Sequence, residues 1–163
     1  MSDRYCAWIK IGGRIERSKL EPLVKEVGQS SVAIDWGEPP LEPNDANELL
    51  NARKHGWLWL CDEQARYGEF PELEETCRKL SLAYQRYCEA WCGYDAEIVE
   101  WRPGMKEPLI RTCSNEDSAI VLVDGATVAE VLVAIEAGRA QEAITKLSSL
   151  CPDIPNLPHF EIV

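Results

Sequence analysis

The chain has 163 residues, 17 Lys plus Arg against 28 Asp plus Glu, a net charge of -11 and 45% hydrophobic residues, with 7 Cys, 6 Trp, 10 Gly and 10 Pro. A globular chain of this size buries roughly 70% of the surface its unfolded form exposes, so a single domain over 1–163 is expected and wholesale disorder is excluded. No run of about 18 apolar residues occurs, and residues 1–6 lack the basic-then-apolar layout of a secretory signal, so the expected setting is cytoplasmic, with reduced thiols.

Residues 5–11 hold Trp8, Ile9 and Ile11 and stop at Gly12-Gly13, which predicts a strand and a turn. Ser18 with Glu21 forms a capping box for a helix carrying Leu20, Leu23, Val24 and Val27 on one face and closed by Gly28. Residues 31–36 read as a second strand, followed by a proline-broken stretch at 37–43 and a short helix over about 44–53. Residues 57–61 read as a central strand, apolar on both faces. A shift of fifty residues lays 7–36 on 57–86 in one apolar register, with Ser31 on Ser81 and Ala33 on Ala83. This predicts two strand-helix-strand units, 5–36 and 57–88.

Beyond a turn near 91–93, residues 96–102 alternate as a half-exposed strand, and 109–112 and 119–123 are further short strands. A helix opening at Thr127, boxed by Glu130, turns Val128, Val131, Leu132 and Ile135 inward. With a second helix over about 139–150 it makes a hairpin at 126–150, and the proline-rich tail 151–163 lies extended. The expected fold is α+β, a ferredoxin-like sandwich of the two units with the hairpin appended.

Charge is unevenly spread. Residues 1–37 carry six basic and five acidic groups, 38–76 three and ten, 77–107 five and five, and 108–163 three and eight. Such a chain repels nucleic-acid backbones and anionic membranes, which leaves a protein with a basic surface as the expected partner. The acidic residues Asp62, Glu63, Glu69, Glu72, Glu74 and Glu75 are the leading partner-binding candidates. Side chains three apart on a helix sit about 5–6 Å from one another, a spacing that can imitate a phosphate array. The plainer reading is a solvated face helped by the helix dipole. Trp36, Trp101 and Arg102 are the candidate interface anchors, because Trp and Arg are enriched there.

Other constellations are weaker. Cys88 and Cys92 are one close pair where a structural zinc site needs two, so no metal is expected. Asp95 beside Tyr94 lacks a mark of desolvation, and Gly12-Gly13-Arg14 lacks a phosphate-loop pattern. The chain therefore reads as a non-catalytic, cofactor-free, acidic protein-binding module. Its most concrete form is a phage- or plasmid-type inhibitor, anti-CRISPR or anti-restriction-like, that blocks a nucleic-acid-binding host protein by mimicry. One alternative is a small-molecule-binding protein or enzyme with Gly12, Gly13, Arg14, His55 and Arg102 in a cleft beside the sheet. Another is a self-associating subunit that buries Trp36 or Trp101. The sequence leaves the oligomeric state open.

Overall fold

A computed structural model describes residues 3–90, 93, 95–113, 123–150 and 153–163. Its elements are β1 Arg4–Ile15, α1 Glu21–Gln29, α2 Ala46–Asn51, β2 Arg53–Lys54, β3 Trp57–Arg66, α3 Pro71–Lys79, β4 Ala83–Cys88, β5 Ala96–Trp101, β6 Leu109–Cys113, α4 Gly125–Glu136, α5 Ala140–Leu150 and β7 Phe160–Ile162. The protein is mixed α+β. Its sheet runs β2-β3-β1-β4-β5-β6 with every neighbouring pair antiparallel, and β7 pairs in parallel with the end of β1.

β3 and β4 flank β1 and both oppose it, so they run parallel to each other with β1 between them, and α3 makes the crossing. That is a strand-helix-strand unit over 57–88. The first unit differs from expectation, because residues 31–36 form no strand and contribute a single bridge, Ala33 to Cys61. Two causes are visible. β2 already pairs with Trp57 and Leu58 on that edge of β3, and the chain beyond Trp36 meets prolines that have no N–H to donate. The fifty-residue offset nonetheless recurs in space: α1 and α3 begin and end fifty residues apart, and Ser31 and Ser81 both adopt left-handed backbone at φ 54° and 55°. Ser31 takes that conformation in place of Gly28, which stays inside α1. The box at Ser18 is also absent: Ser18 bonds Glu16, and α1 starts after Leu20 with no side-chain cap.

The main core lies between one sheet face and the helices. Ile9 and Ile11 of β1, Leu58 and Leu60 of β3 and Tyr84 of β4 meet Leu23 and Val27 of α1 and Leu73 and Cys77 of α3. Period-two alternation in the strands and period 3.6 in the helices produce this match. β5 is buried along almost its whole length rather than half-exposed, since β6 covers its outer edge. Its Glu100 is buried against the guanidinium groups of Arg102 and Arg111. A second buried ionic knot holds Arg86, whose guanidinium meets Glu74 at 2.9 Å and Glu97 at 2.8 Å and donates to the Gly68 carbonyl at 2.7 Å.

Gly12 and Gly13 do not end β1; they lie within it. A Cβ on Gly12 would stand 1.9 Å from the Pro158 carbonyl oxygen, so glycine there admits the tail. The tail is strapped down along its length. Arg102 Nε donates to Pro155 O at 2.8 Å, Trp57 Nε1 to Leu157 O at 3.2 Å, and Gly13 N to His159 O at 2.9 Å. Phe160 is fully buried in the main core.

The helical hairpin opens at Asp124, whose carboxylate accepts the Thr127 N–H at 2.9 Å, in place of the expected Thr127 cap. Val131, Ala134 and Ala143 make a small cluster of their own. Val128, Leu132 and Ile135, expected to face inward, are about half exposed. Of the expected strand at 119–123 only Val123 is described, and it precedes the cap without regular structure; 119–122 lie outside the described residues, as do Trp91 and Cys92.

Candidate binding site on the second sheet face

Alternation along β1, β3 and β4 turns every second side chain away from α1 and α3. Trp8 stands opposite Cys61 on one side and Tyr87 on the other, and Lys10 stands opposite Trp59. Trp8, Cys61 and Tyr87, with Ala33, Ala96, Ile98 and Cys113, form a second apolar cluster that contains no helical residue. Among the described residues this face is therefore built by strands and by the loop after α1.

Trp8 and Tyr87 stack with ring centroids 5.6 Å apart and planes at 24°. Trp36 comes in from the loop and stands perpendicular to Trp59, with centroids 5.8 Å apart and planes at 86°. Both are favoured arrangements of aromatic quadrupoles. Around them lies a cavity of about 400 Å³ lined by Cys6, Trp8, Trp36, Trp59, Glu63, Tyr87 and Glu89. A second opening of about 330 Å³ shares Cys6, Glu63 and Glu89 and continues past Arg4, Tyr5 and Gln64.

Each wall has an evident support. Glu63 accepts the Gly37 N–H at 2.9 Å, which ties the Trp36 loop to β3. The Glu89 N–H donates to the Cys6 carbonyl at 3.0 Å, which fixes the end of β4 beside β1. Asp35 meets Lys54 at 2.8 Å; that contact and the Trp36 N–H hold its carboxyl below the usual range. The Cys6 thiol is pushed up by burial and then by the Glu89 carboxylate. Two lysines already use the aromatic faces: Lys10 Nζ sits 4.3 Å from the centre of the Trp8 ring, and Lys54 Nζ sits 4.6 Å from that of Trp59. Neither lysine lines the cavity. Among the described residues its ionisable lining groups are Glu63, Glu89, Cys6 and the Tyr87 phenol, so it offers a cation aromatic rings and two carboxylates.

The residues singled out from sequence are dispersed. Glu63 belongs to this cavity, and Trp36, 43% exposed, forms its outer wall. Asp62, Glu69 and Glu72 line a separate concavity of about 340 Å³ together with Arg66 and Tyr67. Glu74 is not a surface acid: it is buried against Arg86. Glu75 is occupied within its own helix by Arg78 at 2.8 Å and Lys79 at 3.4 Å, which hold its carboxyl low. Trp101 and Arg102 are not exposed anchors. Trp101 is buried and stacks on Tyr84 with centroids 6.1 Å apart, because alternation along β5 places it beside Val99 in the main core. Arg102 is buried, donating to Pro155 O and Tyr84 O.

The polar groups expected in a cleft do not converge either. Gly12 and Gly13 face the tail, Arg14 pairs with Glu161 at 3.4 Å on the surface, Arg102 holds Pro155, and His55 occupies an exposed left-handed turn at φ 52°. Asp95 is exposed. Among the described residues no three His, Cys, Asp or Glu side chains are grouped to hold a metal ion. Sequence reasoning did not mark Cys6, Trp8, Trp59, Tyr87 or Glu89 as site residues. The available signal was the alternation of Trp8 with Ile9 and of Trp57 and Trp59 with Leu58 and Leu60, which divides each strand between two faces.

Comparison of the chain with protein-family models, with curated proteins and with solved structures found no match.

Proposed function

We propose that the chain is a non-catalytic binding module that takes a cationic group of a basic protein partner into the aromatic cavity on the sheet face opposite α1 and α3. The observation that carries this is the cavity wall itself: four aromatic rings with Glu63 and Glu89 as its carboxylates. The net charge of -11 supports it by steering positively charged partners toward the protein. The five described cysteines are free thiols, in keeping with a reducing, cytoplasmic setting. No described helix is long and apolar enough to cross a membrane. We read the arrangement of β1, α1, β3, α3 and β4 as a ferredoxin-like core formed by duplication. In that reading the second strand of the first unit has shrunk to the Ala33 bridge.

The experiment is a calorimetric titration of the whole protein with a lysine-rich peptide at two salt concentrations, repeated with Glu63→Gln/Glu89→Gln. Affinity should fall with salt, because exposed charge is screened over about 10 Å at 0.1 M, and should fall at least tenfold in the double variant. An unchanged affinity in the variant overturns the reading. One other observation favours the more specific form, an inhibitor that occupies the basic groove of a nucleic-acid-binding protein: Asp62, Glu69 and Glu72 rim a single concavity. Charge reversal at Glu69 and Glu72 should then weaken capture of such a protein while leaving the peptide titration unchanged. Equal capture by parent and variant removes that form.

A further inference from the structure

The helical hairpin is short of a core. α4 and α5 pack mainly on each other, and within them only Val131, Ala134 and Ala143 are buried, two of the three being alanines. Each helix also carries a second apolar stripe. On α4 it is Val128, Leu132 and Ile135, and on α5 Ala140, Ile144 and Leu147, both at the i, i+4, i+7 spacing with which the helices of a bundle meet. All six are exposed, the five larger ones by about half. The stripes share one side of the hairpin, because Val128, Leu132, Leu147 and Leu150 line a single apolar groove of about 160 Å³ between the helices. An amphipathic helix turns such a stripe to a core, and the body of this protein supplies none.

Size, symmetry and charge point to a second copy of the same hairpin. Helices of 12 and 11 residues packed side by side make a face about 17 Å long and 20 Å across. Two such ridged faces remove on the order of 1,000 Å² from water, the least that a specific interface needs. A two-fold interface requires a patch that complements itself, and one apolar repeat carried by both antiparallel helices does so without opposing like charges. The chain as a whole carries -11, which drives copies apart, but residues 125–150 hold only two basic and three acidic groups. Both basic groups are engaged inside the hairpin, Arg139 by Glu142 at 2.6 Å and Lys146 by Glu130 at 2.5 Å. Self-repulsion is therefore weakest at this face, and a charged partner finds little there to hold.

We infer that two copies of this chain dock through the apolar face of the α4–α5 hairpin and close a four-helix bundle. The inference goes beyond cation binding and does not rest on it, since it uses no residue of the aromatic cavity. Self-association then proceeds without Trp36 or Trp101.

The test is analytical ultracentrifugation of the full chain over a series of concentrations and salt levels. The mass should rise from one chain toward two through the micromolar range. Association should strengthen with salt, because screening removes repulsion between two acidic chains; the contact with a basic partner weakens with salt, so the two readings fail separately. Leu132→Ala/Leu147→Ala keeps helix propensity and should weaken association at least tenfold with the circular-dichroism spectrum unchanged. Val133→Ala, on the side of α4 turned away from the groove, should leave association within about twofold of the parent. A parent that stays a single chain throughout, or one that grows beyond two copies, overturns the inference. Dimers that survive the double variant, or that Val133→Ala weakens as much, overturn the assignment to this face.

Discussion

Replacing Arg86 with Met tests the reasoning about the core most sharply. Arg86 is 4% exposed, and its guanidinium serves Glu74, Glu97 and the Gly68 carbonyl at once. Met keeps much of the volume and removes the charge and the donors, so Glu74, itself 8% exposed, is left as a buried carboxylate without its cation. Breaking a buried ion pair from one side costs about 3–5 kcal/mol, to which the unpaired carbonyl adds roughly 1–3 kcal/mol at most. At about 2–4 °C per kcal/mol for a chain of this size, the combined loss of about 4–8 kcal/mol should drop the thermal midpoint by roughly 8–32 °C. Urea unfolding followed by tryptophan fluorescence measures the free energy, and calorimetry measures the midpoint. The companion variant Arg86→Met/Glu74→Leu removes both charges, and should recover more than half of the loss, because an apolar pair of similar volume replaces a buried ion pair at little cost. A single variant within about 1 kcal/mol of the parent, or a double variant no better than the single, would show that the knot is solvated and the argument wrong.

Three further outcomes follow from the geometry. Gly12→Ala places a methyl 1.9 Å from the Pro158 oxygen and should release the tail, seen as faster proteolysis within 153–163 and a lower thermal midpoint; parent-like protease resistance contradicts this. Burial pushes the Cys61 thiol up to about 12 and raises Cys77 as well, so peptide mapping after alkylation of the native protein at pH 8 should find Cys6 modified ahead of both. Labelling of Cys61 at the rate of a free thiol refutes it. Asp124 has its carboxyl lowered by the Thr127 hydroxyl and then by the Thr127 N–H. A lowered folded-state value means that its capping contribution is present above the ordinary Asp range, near 3.9, and is lost as pH falls through the folded value. Stability-against-pH curves of the parent and Asp124→Asn should therefore differ in slope only below about pH 4; parallel curves there contradict it.

Much of the framework was legible where local pattern and tertiary need agree. The unit over 57–88 shows this, since the apolar spacing of Leu73 and Cys77 and the strand character of 83–88 are both kept. Reading failed where a partner distant in sequence decides. Residues 31–36 have strand composition, yet the edge they would join is shared with β2. Glu74 looks like one more acid in an acidic run, but Arg86 on β4 draws it inside. Trp101 is buried because it stacks on Tyr84 of β4 in the main core, a cross-strand partner that its neighbours in sequence do not reveal. The candidate cavity was hidden for the same reason. Trp8, Trp59 and Tyr87 come from three strands that become neighbours only when β1 inserts between β3 and β4, whereas the exposure of Trp36 could be read from the glycine and prolines that follow it.

The strapped tail sets a timetable for the protein's own synthesis. Gly13 and Ile15 finish their pairing only with Phe160 and Ile162, and the fully buried Phe160 ring belongs to the core that β1 begins. A growing chain that has already joined β1 to β3 and β4 must therefore hold an open slot in its core until residues 153–163 have left the ribosome. Contacts so far apart in sequence form slowly, and partly assembled chains expose apolar surface. Closure of that slot waits on the arrival of Phe160, however early the rest of the sheet is paired.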